Sequence, residues 1–421
     1  MTGPTGPTGS TVVIVDPYSS GSLLAPALVE VGLAPVAVVS ADRPPAVFAS
    51  SYRPDDFPEI IRFQGSVDEV AARLRRLSPI CVIPGAESGV ELADQLAAAV
   101  TPELANEAAL AGARRHKGLM GAAVAASGLP TARQLCTADP DQVAKWIAAE
   151  GLAGADIVLK PAKGAGTDSV TRINSTADWR SVFAGILGRR NRMDLINEEI
   201  VVQEFLSGTE YVVDTFSFDG RHTVTDICRY QKMDINGRTA VYDHMDWMPY
   251  DTDAYGELLR YAGGVLDALG VRFGPAHTEI MATADGPRLI EANARIHGGG
   301  QPRFCQEATG DSQVARVVRY CAGQRDFPAG FTLRKTVRCV FLISRRSGVI
   351  RNADLYERVH ELPSKFFATI GVRNGDQVEA THDLFSSLAL GFVILAHERS
   401  EQVRADYQTI RAIEAALEFA P

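Results

Sequence analysis

The sequence predicts a globular protein that combines an α/β part with an α+β part, and three observations lead to this prediction. Its 421 residues are too many for one ordinary core and suggest two to three domains. Hydrophobic residues make up 46% and charged residues 22% of the chain, as in typical globular proteins. Apolar strands alternate with amphipathic helices early in the chain, whereas glycine-rich hairpins dominate its middle.

Composition excludes several classes of function. The net charge of −9 argues against a nucleic-acid or anionic-membrane partner. The longest apolar run, "LALGFVILA", is far too short to span a bilayer. Six scattered cysteines without a CxxC pair favour buried free thiols in a reducing cytoplasm. Most of the short basic clusters, among which is Arg114-Arg115-His116-Lys117, are expected to be solvated helix surface.

We expect three folding units behind a short tail. Residues 1–10, "MTGPTGPTGS", have neither the basic residue nor the apolar core of a signal peptide and are expected to be disordered. Residues 11–112 are expected to form an α/β domain with a parallel sheet covered on both faces. Residues 113–330 form the α+β unit, and residues 331–421 form a third unit that closes with a helix.

The first unit offers one candidate binding residue. Its first strand, "TVVIVD", is not followed by GxGxxG, so a dinucleotide site is not supported. Glu87, in "PGAESG", lies at the carboxyl end of a later strand, where α/β sheets usually bind ligands. Two interpretations of Glu87 stay open: it meets a substrate ammonium group, or it is a carboxylate stabilised by the dipole at a helix N-terminus.

Residues 288–300, "RLIEANARIHGGG", carry the most informative pattern of the chain. Alternate residues of a strand share one face, so Glu291, Asn293 and Arg295 project together. The rigid fork of an arginine suits an anion, and the glycines let backbone approach a ligand closely.

The preceding strand, "HTEIM", adds a second carboxylate to this face. Glu279 lies opposite Glu291 if the turn has an odd number of residues centred on Asp285, or if a bulge occurs near Pro287. Two carboxylates and the amide oxygen of Asn293 would then converge, and oxygen ligands in this number suit Mg²⁺.

Cations that would match a metal–phosphate site occur upstream. In "DIVLKPAKGAGTDSV" a strand ends in Lys160 and continues into a glycine-rich turn, where free N–H groups beside a lysine suit a polyphosphate. Lys117, taken alone, fits a solvated helix lysine. Gln203–Leu206 leave the end of the apolar strand Ile200–Val202, where exposed backbone can pair with a purine edge, and Glu210 can accept from ribose hydroxyls.

These motifs, in this order, resemble the ATP-grasp superfamily over most of the chain. The pattern ExNxR followed by glycines is the most specific single motif. The resemblance implies an ATP-grasp fold with an N-terminal Rossmann-like domain of parallel sheet, a lid at about residues 121–202 and a C-terminal lobe like that of biotin carboxylase.

The resemblance also implies a role for each motif residue. The nucleotide would be bound by Lys117, Lys160, Gly164, Gly166, Thr167, Ser169, Gln203, Glu204, Phe205, Leu206 and Glu210. Mg²⁺, or Mn²⁺ as a substitute, would be ligated by Glu279, Glu291 and Asn293. Arg295 would be the catalytic cation.

Within the superfamily the sequence most resembles L-amino-acid ligases. That resemblance implies an ATP-dependent ligase that activates a carboxylate as an acyl phosphate and joins it to an amine. The expected partners are small-molecule substrates, and a homodimer is compatible with this expectation. The expected substrate residues are Glu87, His244 in a loop at residues 240–251, Arg295, Gly298 and Gly299. An ATP-grasp carboxylase, a purine-pathway ligase and a non-catalytic nucleotide-binding regulator are the alternatives.

Overall fold

The structure is a computed structural model that describes residues 10–174, 177–235 and 238–420. The predicted tail therefore falls almost entirely outside the described residues, since residues 1–9 are not among them. Within the described ranges, no helix is both long and apolar enough to cross a membrane.

The first unit is a four-stranded parallel sheet in the order β3-β2-β1-β4, as the sequence predicts. The short strand β3 was not anticipated, because its four residues show no clear alternation. Helices cover both faces of the sheet, and the elements are β1 (Thr11–Val15), α1 (Leu24–Glu30), β2 (Ala34–Val39), β3 (Glu59–Arg62), α2 (Val67–Leu77), β4 (Cys81–Pro84) and α3 (Val90–Val100).

A second, antiparallel sheet of four strands follows, in the order β5-β8-β6-β7. Two helices pack on it around a core that includes Leu159, Phe183 and Val202. Its elements, together with the helix that precedes it, are α4 (Lys117–Ala126), β5 (Gln134–Thr137), α5 (Pro140–Ala149), β6 (Ile157–Pro161), β7 (Thr171–Ile173), α6 (Trp179–Ile186) and β8 (Ile200–Glu204).

The main sheet has eight antiparallel strands in the order β13-β12-β9-β10-β11-β14-β18-β16. Helices α4 and α7 pack on one face through Val124 and Val265, and α8 packs on the other through Phe304. The elements up to residue 321 are β9 (Thr209–Phe218), β10 (Arg221–Ile235), β11 (Arg238–Met248), α7 (Thr252–Ala268), β12 (Gly274–Thr283), β13 (Gly286–Asn293), α8 (Gln301–Thr309) and α9 (Gln313–Cys321).

The C-terminal segment shares the main sheet, because three of its strands extend it. We keep the divisions after residues 112 and 330 as a proposal about folding units. The remaining elements, of which three form a small sheet in the order β17-β15-β19, are β14 (Thr336–Phe341), β15 (Gly348–Ile350), β16 (Lys365–Ile370), β17 (Gln377–Val378), α10 (Leu384–Leu390), β18 (Gly391–His397), α11 (Ser400–Ala415) and β19 (Phe419–Ala420).

One predicted loop is a strand. The segment 240–251 was expected to be a substrate loop, but most of it lies in β11, which pairs with β10 and β14. Its polar residues His244 and Asp246 alternate with apolar Met245 and Trp247, and all four are buried, so the mixed composition reflects a strand between two packed layers.

The β12–β13 hairpin places Glu279 directly opposite Glu291, as predicted. The predicted turn is wrong: Thr283 pairs with Gly286, so the turn has two residues rather than an odd number centred on Asp285. The register is restored by a bulge, since Glu279 pairs with Glu291 and Ile280 pairs with Leu289. The extra residue is Ile290, three positions beyond the predicted site at Pro287.

A tyrosine of α7 satisfies the backbone beside this bulge. The Tyr261 hydroxyl accepts a hydrogen bond from Leu289 N at 2.8 Å and donates one to Pro130 O at 2.6 Å. The bulge therefore leaves no orphan N–H at Leu289, and α7 ties the hairpin to the segment that leads into the second sheet.

We expect Tyr261→Phe to lower the free energy of unfolding by about 1–3 kcal/mol, because Leu289 N–H and Pro130 C=O then lose a buried partner. Denaturant unfolding followed by circular dichroism measures the change. Tyr250→Phe is the matched control, since that ring packs on Phe331 at the edge of the same core. Equal losses in the two variants would contradict the assignment.

Candidate active site

Glu279 and Glu291 each have a cationic partner. Lys117 Nζ lies 2.9 Å from Glu291 Oε1, and His277 Nε2 lies 3.1 Å from Glu279 Oε1. Burial opposes ionisation of Glu279, but the hydrogen bond and charge of His277 lower its pKa to about 2. The two carboxylates can therefore stay ionised side by side, as ligands of a divalent cation must be.

The two predicted phosphate lysines lie together beneath the carboxylates. Lys117 is the first residue of α4, and Lys160 lies in β6; both are buried. Lys160 Nζ donates to Gln203 Oε1 at 3.2 Å and to Ile290 O at 3.4 Å. Burial, followed by the charge of Lys117, lowers the pKa of Lys160 to about 8. An anion bound here would relieve both effects.

These four charged residues open into one cavity of about 760 Å³ between the second sheet and the main sheet. A cavity of this size can enclose a ligand as large as a nucleotide. Most of the predicted nucleotide-binding residues line this cavity. Those that do are Lys117, Lys160, Gly166, Thr167, Gln203, Glu204, Phe205, Leu206 and Glu210.

The ribose candidate Glu210 already has a partner in the cavity. Lys232 Nζ lies 2.6 Å from Glu210 Oε2 and 4.4 Å from the centre of the Tyr242 ring. Sequence reasoning missed Lys232, although alternation along β10 places it on the same face as Tyr230, which also lines the cavity. Lys232 is therefore a further cation within reach of a bound nucleotide.

The glycine-rich loop at 163–169 reaches the C-terminal segment. Gly164 O accepts from Lys117 Nζ at 3.3 Å, and Gly166 has a left-handed φ of +65° against the Phe385 ring. The Thr167 hydroxyl accepts from Leu384 N at 3.4 Å. Ser169 instead donates to its neighbour Asp168 and does not line the cavity.

Glu87 organises cations rather than standing free. Its carboxylate accepts from Arg115 at 2.9 Å and from Arg295 Nε at 2.8 Å. With its amide nitrogen turned toward the carboxylates, Asn293 donates to Glu87 at 2.8 Å and to Glu291 at 3.2 Å. Burial raises the pKa of Glu87, but the charges of Arg115 and Arg295 outweigh it and lower that pKa. This network leaves little capacity for a substrate ammonium group.

Arg115 also corrects the expectation of a solvated basic cluster. Arg114 and Arg115 are buried, at 0% and 4% exposure. Arg114 pairs with Asp94, and Arg115 NH1 reaches Gly164 O at 3.4 Å in addition to Glu87. A local charge run cannot show such burial, because the carboxylates that pair with it lie elsewhere in the sequence.

A buried group of three residues lies behind the metal candidates. His277 Nδ1 is 2.8 Å from Asp214 Oδ1, and His297 Nδ1 is 2.7 Å from Asp214 Oδ2. The three side chains converge as metal ligands do. However, an ionised Asp214 can only accept, so both Nδ1 atoms carry protons and cannot bind an ion at the same time. The cluster is therefore a hydrogen-bonded support, and it fixes Glu279 through His277.

The predicted substrate residues are not among those that line the cavity; they are Glu87, His244, Arg295, Gly298 and Gly299. His244 is bound to Asp243 at 2.8 Å and stacks edge-on with Tyr407 of α11, on the opposite side of the main sheet from Tyr242. The structure therefore does not bring His244 to the site.

The predicted glycines lie against the first unit. A Cβ added at Gly298 would lie 3.6 Å from the Ser19 hydroxyl, and Gly299 N donates to that hydroxyl at 3.2 Å. The next residue, Gly300, donates through its N–H to the Ser20 hydroxyl.

Comparisons with known proteins agree with this geometry. A family model described as an ATP-grasp domain matches residues 153–302. The match identifies residues 153–302 as an ATP-grasp domain. The chain is 29% identical over 419 residues to the dapdiamide A synthase of Enterobacter agglomerans, with 96% of each chain covered. It is also 28% identical over 185 residues to an L-arginine-specific L-amino acid ligase of Bacillus subtilis, 43% of each chain.

Solved structures show the same ATP-grasp fold. The L-amino acid ligase from Bacillus licheniformis superposes with a TM-score of 0.72 at 18% identity, covering 98% of each chain. An ADP complex of an N5-carboxyaminoimidazole ribonucleotide synthetase superposes with a TM-score of 0.66 at 17% identity, covering 96% of each chain. At these identities the likeness concerns the fold.

We expect ATP binding near pH 8 to take up protons. Lys160 is partly deprotonated in the ligand-free protein because its pKa is about 8, and polyphosphate would favour its charged form. Calorimetry in buffers of different ionisation enthalpy measures the uptake. It should disappear in Lys160→Met and persist in Lys145→Met, which changes an exposed lysine of α5. Equal proton uptake by parent and Lys160→Met would contradict this charge state.

Proposed function

We propose that this protein is an ATP-dependent ligase that joins a carboxylate to an amine, forming a dipeptide or other amide through an acyl phosphate. One observation carries the proposal: two facing carboxylates, Glu279 and Glu291, share a nucleotide-sized cavity with the buried lysines Lys117 and Lys160. The similarity to dapdiamide A synthase over almost the whole chain supports the same class of reaction.

ATP is proposed to lie along this cavity with its phosphates toward the lysines. Leu206 follows the end of β8, so the backbone of Glu204–Leu206 is placed to pair with the adenine edge. The Glu204 carboxylate itself is held by Arg133 at 2.7 Å and takes no part. Glu210 and Lys232 lie nearby for the ribose, and the 163–169 loop covers the phosphates.

The proposed metal residues fit Mg²⁺ chemically. Glu279 and Glu291 offer hard carboxylate oxygens from adjacent strands. Asn293 donates its amide N–H to Glu87 and Glu291 in the ligand-free protein and would turn its oxygen toward a bound ion to ligate it. A bound magnesium ion would neutralise phosphate charge during transfer. Lys117 then has two roles: it balances Glu291 in the ligand-free protein and moves toward phosphate when the ion takes its place.

The chemistry follows from positioning and charge. A carboxylate has no leaving group, so transfer of the γ-phosphoryl group of ATP converts it into an acyl phosphate that an amine can attack. Arg295, whose Nε is fixed by Glu87, is proposed to stabilise the negative charge of the tetrahedral intermediate. The N-terminal unit contributes Glu87, Ser19 and Ser20 next to this end of the site.

The acyl phosphate can be tested directly. We expect a carboxylate substrate labelled with ¹⁸O to transfer one labelled oxygen to inorganic phosphate during turnover with an amine. A panel of amino acids, followed by mass spectrometry of product and phosphate, measures the transfer. Label found only in the amide, or phosphate release that requires bicarbonate, would contradict the proposed reaction and favour a carboxylase.

We expect Glu291→Gln to reduce ADP formation by at least about 10²-fold while the protein remains folded, because phosphoryl transfer loses a charged oxygen at the metal position. Coupled ADP release at saturating Mg²⁺ measures the rate. Glu103→Gln, at an exposed glutamate of the first unit, is the control. Unchanged ADP formation in Glu291→Gln would remove Glu291 from the proposed site.

A further inference from the structure

His297 is a buried histidine that the nucleotide site does not use. It lies between Arg295 and the three glycines that lead into α8. Its backbone N–H donates to Gln313 Oε1 at 2.8 Å, and its Nδ1 lies 2.7 Å from Asp214 Oδ2. Because a carboxylate oxygen can only accept, Nδ1 carries a proton and Asp214 fixes the orientation of the ring.

The neighbouring histidine has no nitrogen left for a ligand. The ring nitrogens of His277 face Asp214 at 2.8 Å and Glu279 at 3.1 Å, so both are engaged. The His277 and His297 rings are 4.0 Å apart between centroids. Burial, followed by His277, lowers the pKa of His297.

The second nitrogen of His297 is available to a ligand. Within the part of the chain that the structure describes, Nε2 has no hydrogen-bond partner, and 8% of the side-chain surface stays accessible. The adjoining glycines leave room: a Cβ added at Gly300 would meet no atom within 4 Å, and one at Gly298 would meet only the Ser19 hydroxyl at 3.6 Å. An unpaired ring nitrogen therefore remains on a residue two positions after Arg295 in the chain.

We propose that His297 is the general base that deprotonates the attacking amine. An α-amino group is mainly an ammonium ion at neutral pH and has no lone pair for attack. This inference rests on the proposed ligase function and assigns a residue to its second step. The arrangement resembles other sites in which a carboxylate orients a neutral imidazole through Nδ1 and leaves Nε2 to take a proton.

Atoms and charge are conserved in the proposed amide-forming step. His297 Nε2 takes one proton from the ammonium group, and the free amine attacks the carbonyl carbon of the acyl phosphate. A C–N bond forms. The bond between the carbonyl carbon and the oxygen that carries phosphorus then breaks, and inorganic phosphate leaves with the electron pair. The second amine proton passes to the departing phosphate, and His297 returns its proton to solvent.

Charged and titratable groups from each neighbouring element bear on this step. Asp214 of β9 holds Nδ1, His277 of β12 stacks on the ring, and Arg295 lies two residues away in the chain. Asp226 of β10 adjoins Asp214; burial and then the charge of Asp214 raise its pKa to about 8, so it is neutral at pH 7. Gln313, from α9, is uncharged.

The test compares two nucleophiles in His297→Asn, which keeps an N–H donor for Asp214 but has no basic nitrogen. Hydroxylamine is unprotonated at neutral pH and needs no base, so hydroxamate formation should stay close to the parent rate. Amide formation with an amino acid should fall by about 10²–10⁴-fold. This loss should shrink as the pH rises, because more of the amine is then free.

Matched variants keep the test decisive. His222→Asn changes another histidine that is bound to Ser217 and Asp267 at the far end of β10, and it should leave both reactions unchanged. ATP affinity and thermal unfolding report whether His297→Asn folds, and His297→Gln replaces it if it does not. An equal loss of rate with both nucleophiles would show that His297 only supports Glu279. An unchanged rate with both would exclude any role for His297. Either result would overturn the inference. Failure of the parent protein to form a hydroxamate from any acid would instead overturn the proposed function itself.

Discussion

The arrangement of the site depends on two carboxylates held face to face. Glu279 and Glu291 face each other, and His277 and Lys117 each place a nitrogen at hydrogen-bond distance from one of these carboxylates. The bulge at Ile290 is what turns both side chains to the same face of the sheet. The hairpin therefore sets the geometry, and the surrounding cations allow that geometry to persist without a bound ion.

The other units are connected to this hairpin by charge. Glu87 brings the first unit to Arg295 and Arg115, and Arg115 reaches the backbone of the glycine-rich loop. The loop in turn contacts the C-terminal segment through Thr167. One network thus links all three parts of the chain around a single cavity. A ligand that displaces Lys117 from Glu291 would therefore change contacts in each part.

Local patterns in the sequence were sufficient for the parallel sheet, for the pairing of Glu279 with Glu291 and for many of the residues that line the cavity. They failed where long-range partners decide the outcome. The bulge depends on Tyr261, which lies 28 residues away from Leu289 in the chain. His244 looked like a binding residue in a loop, but the strands on either side of β11 and the Tyr407 ring enclose it. Lys232 was missed because a single lysine in a long strand has no motif around it.

The most direct test of the face-to-face carboxylates is a count of bound manganese by electron paramagnetic resonance, with a non-hydrolysable ATP analogue present. We expect the parent protein to bind Mn²⁺ together with the analogue, and we expect Glu279→Gln and Glu291→Gln each to weaken that binding strongly. Glu103→Gln should bind as the parent does. Undiminished Mn²⁺ binding in either hairpin variant would contradict the claim that these two carboxylates form the metal site.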